Sequence, residues 1–483
     1  MALIPLLWDV HRILDSPSSF SQKMKVLFCR GWLLGTVFMG YFHIWIFTLK
    51  VWVFWGWLLL LWAAFSVYLG IFFGLAMILY GWITLKTQVP RWAAWVVFPS
   101  VWVIAEYARS LGVIGDPGGV LGYSQAFVLP MVQWASITGV FGLSFFCVLI
   151  NVLGFSFMKA STIQSKLRWL WLIFLLMGGA FLWGEYQLYL HNSPHLKKIP
   201  VVIVQGNFTQ QEKMNRQGAD VIRQELLKTT ERFLIEHPES KEGFVFWPEV
   251  ITPTFNLFQA DFMDQLNKLA NEFQTTVLFG TPVAEGFRYY NSVAAMTPNG
   301  LAKDLYKKVK LMPFGEYWPC QFLLSQFESL KKVLGDGYSA ANTVEVIHLQ
   351  DTTVGMGVCL ESVYPWYFRT SAQKGADFLA VALNNGWFLT SFAGDEHFQM
   401  SVVRAVENNR YLVLSANTGI SAIVTQKGQI VRGLGLNQKG VIEGTVLTGF
   451  ETSFYTKYGE LIVCLSFIFV ILMIIMSRNR HVI

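Results

Sequence analysis

Six stretches of this chain carry almost no charge for about the length a helix needs to cross a lipid bilayer. That limits the architecture before any motif is read. The stretches are residues 29–48, 51–86, 92–108, 132–158, 168–186 and 461–477. A hydrocarbon core of about 30 Å needs roughly 20 apolar residues in a helix, and each run reaches or nearly reaches that length. The 51–86 run exceeds it. It is expected as one long tilted helix, or as a short re-entrant piece followed by a helix. Trp and Tyr crowd the ends of the runs, as they do at a lipid–water boundary. With 53% hydrophobic and 14% charged residues among 483, the chain is too apolar for an ordinary soluble protein.

Between 198 and 448 charges return, Asn, Gly and Thr become common, and short β-rich runs appear. About 250 residues of this kind suffice for a globular domain with its own core. The expected organisation is a transmembrane helical bundle over 1–190, a globular domain over 198–448, and a closing transmembrane helix with a short tail over 449–483. Basic residues set the orientation. Lys23, Lys25, Arg30, Lys86, Arg91, Lys159, Lys166, Arg168, Arg478 and Arg480 lie in short segments beside the apolar runs, while loop 111–131 has no Lys or Arg. The positive-inside rule puts these basic segments and the C-terminus in the cytoplasm and the globular domain on the outer side. The net charge of +6 belongs to these anchors. No Lys/Arg patch with interleaved aromatics points to nucleic acid. The opening "MALIPLLWDVHRIL" is too short to span and lacks the basic start and cleavage site of a signal peptide.

In the globular part, "PVVIVQ" (200–205), "GFVFWPE" (243–249), "TVLFGTPV" (276–283), "NSVAAMTPNG" (291–300), "TVGMGVCLE" (353–361), "DFLAVALNN" (377–385), 411–416 and 420–425 read as strands. Helices are expected over 219–236, 261–273 and 396–410. Most of these strands are continuous apolar runs, the mark of strands buried on both faces. The domain is therefore a layered α/β fold with helices outside. Glu249, Lys308 and Cys359 sit where strands run out, which is where such folds hold their chemistry.

The five cysteines divide by environment. Cys29, Cys147 and Cys464 lie in apolar runs, where a thiol behaves as a small hydrophobe. Cys320 and Cys359 lie in the outer domain, where a disulfide between them is one structural alternative. No CxxC or Cys/His cluster suggests a metal. His191 and His195 have i,i+4 spacing, but Ser193-Pro194 breaks the helix they would need. Neither a metal nor a cofactor is expected.

"FWPE" (246–249), "YKKVKLMPFGEYWP" (306–319) and "GVCLE" (357–361), in that order, resemble the Glu–Lys–Cys signature of the nitrilase superfamily. The form Y-x-K-x-x-L-x-P-F-G-E is similar to that of its membrane-embedded branch, the apolipoprotein N-acyltransferases. Further matches are "VQGN" (204–207), "GYSQ" (122–125), "NNGWF" (384–388), "HFQM" (397–400) with Arg404, and "NTGIS" (417–421). The resemblance implies an α-helical transmembrane bundle joined to an α/β nitrilase-like domain, an αββα four-layer sandwich. It also implies a bacterial cytoplasmic (inner) membrane protein with its catalytic domain on the periplasmic side. Its partners would be a phospholipid acyl donor and a diacylglyceryl-modified lipoprotein acceptor, with no nucleic acid, and the chain would act as a monomer.

Acyl transfer to an amine is easier in two steps through a covalent intermediate. A free cysteine is only slightly ionised at neutral pH and needs a base. Glu249 suits that task, because a carboxylate in an apolar strand end has its pKa raised toward useful values. Lys308 would stabilise the tetrahedral oxyanion. The resemblance gives the same roles by motif position: Cys359 nucleophile, Glu249 general base, Lys308 oxyanion stabiliser. It adds Glu316 and Glu361 as supporting carboxylates that orient the lysine and shape the pocket. Each residue also has a plain structural alternative. Cys359 could be a buried thiol, Glu249 a cap after Pro248, "KKVK" a solvated face, and Glu316 and Glu361 loop ion pairs. Asn384, Trp387 and Phe388 are expected along the acyl-side pocket, with simple packing as the alternative. His397 is expected as a structural residue rather than a base.

Residues 320–338 place Leu323, Phe327, Leu330 and Leu334 on one helical face beside Lys331 and Lys332, an interfacial pattern. "TFNLFQADFM" (254–263) carries further aromatics near Glu249. Both segments are expected as arms at the lipid surface, or else packed on the core. Three features depart from the family pattern. Leu360 stands where tyrosine is usual after the cysteine, and Met214 where a tryptophan is usual. The N-terminus begins about one and a half membrane segments late. A membrane-tethered amidase using water as acceptor is the alternative enzyme, and an inactive scaffold the non-enzymatic one. The bundle favours the acyltransferase, since hydrolysis of small amides needs no spans. The presence of Glu249, Lys308 and Cys359 speaks against the scaffold.

Overall fold

The computed structural model describes residues 2–51, 53–87, 93–190, 196–214, 216–251, 260–313, 315–317, 337–388 and 391–478. They form two units, 1–190 with 458–483, and 191–457.

The first unit is helical. Its helices are Ile4–Asp15, Phe20–Phe42, Trp55–Lys86, Ala94–Ser110, Leu129–Val132, Ala135–Lys159, Ile163–Tyr189 and Leu461–Arg478. Three of them, Trp55–Lys86, Ala135–Lys159 and Ile163–Tyr189, are long and apolar enough to cross a membrane. Phe20–Phe42 joined to Ile44–Lys50 through a 44° bend makes a fourth candidate. The 51–86 run is thus one continuous helix from Trp55, not a re-entrant piece followed by a helix. The 92–108 and 461–477 runs become shorter helices of 17 and 18 residues.

Helices Phe20–Phe42 and Trp55–Lys86 approach backbone to backbone. A Cβ at Gly31 would lie 2.7 Å from Phe73 O, and one at Gly70 would lie 2.8 Å from Trp32 O. Close approach over small residues is how helices associate where lipid replaces the hydrophobic drive. Leu7, Val10, Phe73, Met77, Val97, Val101, Val148, Val152 and Val470 fill the interior. Leu33, Val37, Trp57, Leu60, Phe174 and Leu175 stand exposed, an apolar outer surface that water would not tolerate. A polar knot that the sequence pattern did not reveal sits inside. Glu106 accepts from Trp102 Nε1 and Leu121 N, both at 2.9 Å, and Arg109 donates to the Asp116 carbonyl at 2.8 Å, fastening loop 111–128.

The second unit holds two sheets. Strands β1 (Lys197–Gln205), β2 (Phe244–Phe246), β3 (Thr276–Glu285), β4 (Arg288–Thr297), β5 (Gly300–Leu301) and β6 (Tyr306–Lys307) belong to the first, closed at its other edge by β13 (Gly440–Thr448). Its order is β13-β1-β2-β3-β4-β5, with β6 on β4. The second runs β12-β11-β10-β9-β8-β7, from β7 (Ile347–Leu349), β8 (Thr352–Val358), β9 (Phe378–Leu383), β10 (Leu412–Ala416), β11 (Ser421–Val424) and β12 (Ile430–Leu434). β1-β2-β3 and β8-β9-β10 are parallel. They are joined through helices Arg216–Glu236 and Ala260–Glu272 in one half, and Pro365–Gln373 and Ala393–Asn408 in the other. The sheets face each other: Phe244 and Phe246 meet the Phe378 ring, and Ser415 Oγ donates to Phe246 O at 3.2 Å. Phe262, Leu266 and Leu269 press one helix onto β2 and β3 from outside. This is the αββα sandwich, in which continuous apolar strands are covered on both faces.

The expected strand pair 411–416 and 420–425 does not complete the domain. β12 and β13 follow, and β13 pairs with β1 over nine residues. Helix Pro365–Gln373 is not among the expected elements, and it opens on Pro365. The proline occupies the first helical turn, where its missing N–H costs nothing. His191, His195, Cys320 and most of the 254–263 and 320–338 arms lie outside the described residues.

Candidate active site

The parallel arrangement places Asn207, Glu249, Cys359, Asn384 and Asn417 just past the C-terminal ends of β1, β2, β8, β9 and β10. Glu249 is buried, and its placement depends on backbone shape. Val250 takes φ +43°, a left-handed conformation that a β-branched residue avoids. Gly280 on β3 leaves room for this turn, since a Cβ there would lie 2.6 Å from Val250 N and 2.8 Å from Glu249 Cα.

Lys308 leaves β6 with its N–H donating to Asn291 O at 2.8 Å and its carbonyl accepting from Ala341 N at 2.9 Å. Its side chain is 1% exposed and turns inward, with Nζ 3.5 Å from Glu249 Oε1 and 2.8 Å from Glu316 Oε2. Burial opposes the ammonium charge, but the Glu316 and Glu249 carboxylates outweigh it and hold the lysine above its ordinary pKa. Asn291 Nδ2 donates to Glu249 Oε1 at 2.8 Å and to Glu316 Oε1 at 2.7 Å. Met312 N donates to Glu316 Oε2 at 2.7 Å. The neighbouring lysines face elsewhere. Lys307 pairs with Glu285 at 2.5 Å, and Lys310 lies 5.0 Å over the Tyr364 ring.

Cys359 follows β8 at φ +51°. A non-glycine residue in that region costs on the order of 1–3 kcal/mol and marks functional turns. The turn carries the thiol off the sheet and aims Leu360 N–H at it. Burial and the Glu249 charge push the thiol pKa up, while Lys308 pulls it down. Two groups hold the turn from below. Glu361 is fully buried and accepts four hydrogen bonds: Tyr306 Oη at 2.5 Å and Val358 N at 2.8 Å on one oxygen, Val309 N at 2.6 Å and Lys310 N at 3.0 Å on the other. It thereby ties the elbow to the segment that carries Lys308. Burial pushes its pKa up to about 7 even so. His397 Nε2 lies 3.1 Å from Cys359 O and 2.6 Å from Ser362 Oγ. Burial pushes it down to about 4, so it is neutral at ordinary pH and holds the elbow as a hydrogen-bond donor.

Asn384 follows β9, whose register pairs Val358 with Ala382, so the "NNGW" turn leaves the sheet beside the cysteine. Asn384 Oδ1 accepts from Asn417 Nδ2 at 3.2 Å, and Asn417 brackets Phe208 at 2.7 and 3.0 Å. "VQGN", "NNGW" and "NTGIS" therefore meet in one network. Asn384 is buried, while Trp387 and Phe388 are half-exposed. Met214's side chain lies outside the described residues, and Leu360 is half-exposed. Sequence reasoning missed Asn291, which read as an ordinary strand residue. It also missed Lys213, whose "TQQE" capping box marks only a helix start. His237, Glu239 and Glu443 bring donor atoms within 4.8 Å of one another. They lie on the side of β2 away from Glu249, half-exposed or exposed and hydrogen-bonded.

Residues 1–153 match the family model of the apolipoprotein N-acyltransferase N-terminal domain, and residues 215–449 match that of carbon-nitrogen hydrolases. An apolipoprotein N-acyltransferase of Geobacter metallireducens is 32% identical over 376 residues, covering 76% of this chain and 70% of the relative. The chain belongs to the apolipoprotein N-acyltransferase family. A second apolipoprotein N-acyltransferase, from Rhizobium leguminosarum bv. trifolii, is 30% identical over 481 residues, covering 91% of this chain and 84% of its own length. Among solved structures, Saccharomyces cerevisiae Nit3, a nitrilase-superfamily member, is similar over 53% of this chain and 93% of its own, with TM-score 0.41 and 21% identity. Membership makes the chain an acyltransferase of lipoprotein N-acylation, and the apolar helices make it an integral bacterial membrane protein.

Proposed function

We propose that Glu249, Lys308 and Cys359 move a fatty acyl chain from a membrane phospholipid, through a thioester on Cys359, to the α-amino group of the N-terminal S-diacylglyceryl-cysteine of an apolipoprotein. The observation that carries this is the pairing of the Lys308 ammonium with the Glu249 carboxylate beside a cysteine held in a left-handed turn. An ester donor and an amine acceptor need the same three services: a nucleophile, a base that returns its proton, and a fixed positive charge.

In the first half-reaction Cys359 Sγ attacks the ester carbonyl as Glu249 takes the thiol proton. The negative charge moves to the carbonyl oxygen, where Lys308 and the Leu360 N–H stabilise it. The carbon–oxygen ester bond breaks, Glu249 gives its proton to the leaving glycerol oxygen, and lysophospholipid departs. In the second half-reaction the amine attacks the thioester and loses a proton to Glu249, the C–S bond breaks, and Glu249 returns that proton to the leaving Cys359 sulfur to restore the thiol. Because Lys308 stays protonated far above neutral pH, it acts as a charge and not as a proton donor. Asn291 and Glu316 orient Glu249 and Lys308, and Glu361 and His397 hold the elbow. Asn384, Trp387 and Phe388 line the acyl side. The catalytic unit faces the outer side of the cytoplasmic membrane, with the basic loops inside.

Intact-mass analysis of the purified chain incubated with phospholipid tests this. A thioester-linked acyl adduct is expected on the wild type and on Cys320→Ser, and none on Cys359→Ala. Glu249→Gln should load about 10²–10⁴-fold more slowly. An adduct that survives Cys359→Ala would overturn the proposal.

A further inference from the structure

A second buried lysine lies at this centre. Lys213, in helix Gln210–Met214, is 4% exposed and donates from Nζ to the Glu249 carbonyl at 3.1 Å. That carbonyl belongs to the peptide bond leading into Val250, the left-handed residue that fixes the Glu249 turn. Burying an ammonium costs several kcal/mol unless opposite charge compensates it. The compensation here comes from the Glu249 and Cys359 charges, which act on Lys213 against the burial that pulls it down to about 8. A leucine or methionine would fill such a position without that cost, so the charge needs a reason that packing does not supply.

We infer that Lys213 is a positioning residue that clamps the Glu249 turn and supplies a second positive charge favouring the Cys359 thiolate. This deepens the proposed function and rests on Cys359 being its nucleophile. Lys308 is bound to two carboxylates at 2.8 and 3.5 Å, which spend much of its field. Among the described residues, the charged and titratable groups around the thiol and its carboxylates include Glu249 after β2, Lys308 and Glu316 after β6, Tyr338 beside them, Glu361 and His397 beneath the elbow, and Lys213. Two cations then face Glu249 and Glu316, and Lys213 balances the carboxylate that Lys308 leaves uncompensated.

The test is the pH dependence of iodoacetamide alkylation at Cys359. It is read by peptide mass spectrometry on the full-length chain in detergent, across about pH 6 to 10 to span the thiol range. Lys213→Met should raise the midpoint by about one unit, a tenfold slower reaction at fixed pH, and Lys213→Arg, charged throughout, should lower it. A Met variant with the wild-type midpoint overturns the inference. If the Met variant does not fold, the arginine variant decides, because arginine keeps its charge where lysine loses it. Faster alkylation than wild type above about pH 9 is then expected, and equal rates overturn the inference. Failure of the proposed function reads differently: wild-type chain alkylated at Cys359 would still transfer acyl groups.

Discussion

Replacing Lys308 by methionine removes a charge that the proposed mechanism uses twice. The first use is oxyanion stabilisation, whose loss costs on the order of 10²–10³ in rate. The second is neutralisation. Glu249 and Glu316 both accept from Asn291 Nδ2, at 2.8 and 2.7 Å, and Lys308 sits 1% exposed between them. Without it two carboxylates share a buried pocket. Breaking one side of a buried ion pair costs about 3–5 kcal/mol, and the cheapest relief is to bind a proton. Acyl loading by Lys308→Met should be at least 10²-fold slower. Adding Glu316→Gln should restore stability, since one carboxylate is gone, without restoring rate. Lys307→Ala loses a partly exposed pair with Glu285, worth about 0–1 kcal/mol, and Lys310→Ala loses its contact with Tyr364. Both should load at close to the wild-type rate. Time-resolved intact mass gives the rates, and denaturant melts in detergent give the stabilities. Three equal, mild losses that fade at high salt would mark a solvated patch attracting anionic headgroups and would remove Lys308 from the mechanism.

Glu361→Gln puts an amide nitrogen where each carboxylate oxygen accepts two donors. It should cost about 1–3 kcal/mol and abolish acyl loading, and wild-type loading would show that the elbow does not need its tie to the Lys308 segment. His397 has a folded-state pKa near 4 against an ordinary 6.5. The unfolded chain therefore binds the extra proton between those values, and stability falls by about 1.4 kcal/mol per unit as pH drops through that window. His397→Asn should flatten this part of the stability–pH curve, as denaturant melts at successive pH values would reveal. Gly280→Ala drives a methyl group into Val250 N and Glu249 Cα. Activity should fall with a stability loss of about 1–3 kcal/mol, and an active, fully stable variant would mean that the Glu249 turn tolerates a shift.

The parts of the fold legible in the sequence are those where both faces of an element are buried. β1, β8, β9 and β10 are uninterrupted apolar runs, and so are the long membrane helices. β12 and β13 escaped because β12 is exposed and β13 half-buried: Ile430, Val431 and Arg432 alternate nothing, and Glu443 and Gly444 interrupt the other. The site divides in the same way. Glu249 and Cys359 stand at strand ends inside recognisable motifs, but what makes them a site is backbone conformation. The positive φ at Val250 and Cys359, and the missing Cβ at Gly280, belong to residue types that do not signal them. Asn291 and Lys213 act across the sheet from residues 42 and 36 positions away, so no local pattern holds both partners. Lys308 is the instructive case. Three lysines in four residues read as a solvated face, and residue type cannot separate them. β6 separates them, because its pairing on β4 fixes which lysine turns inward, and the bond from Lys308 N to Asn291 O aims that one at the carboxylate the same asparagine holds.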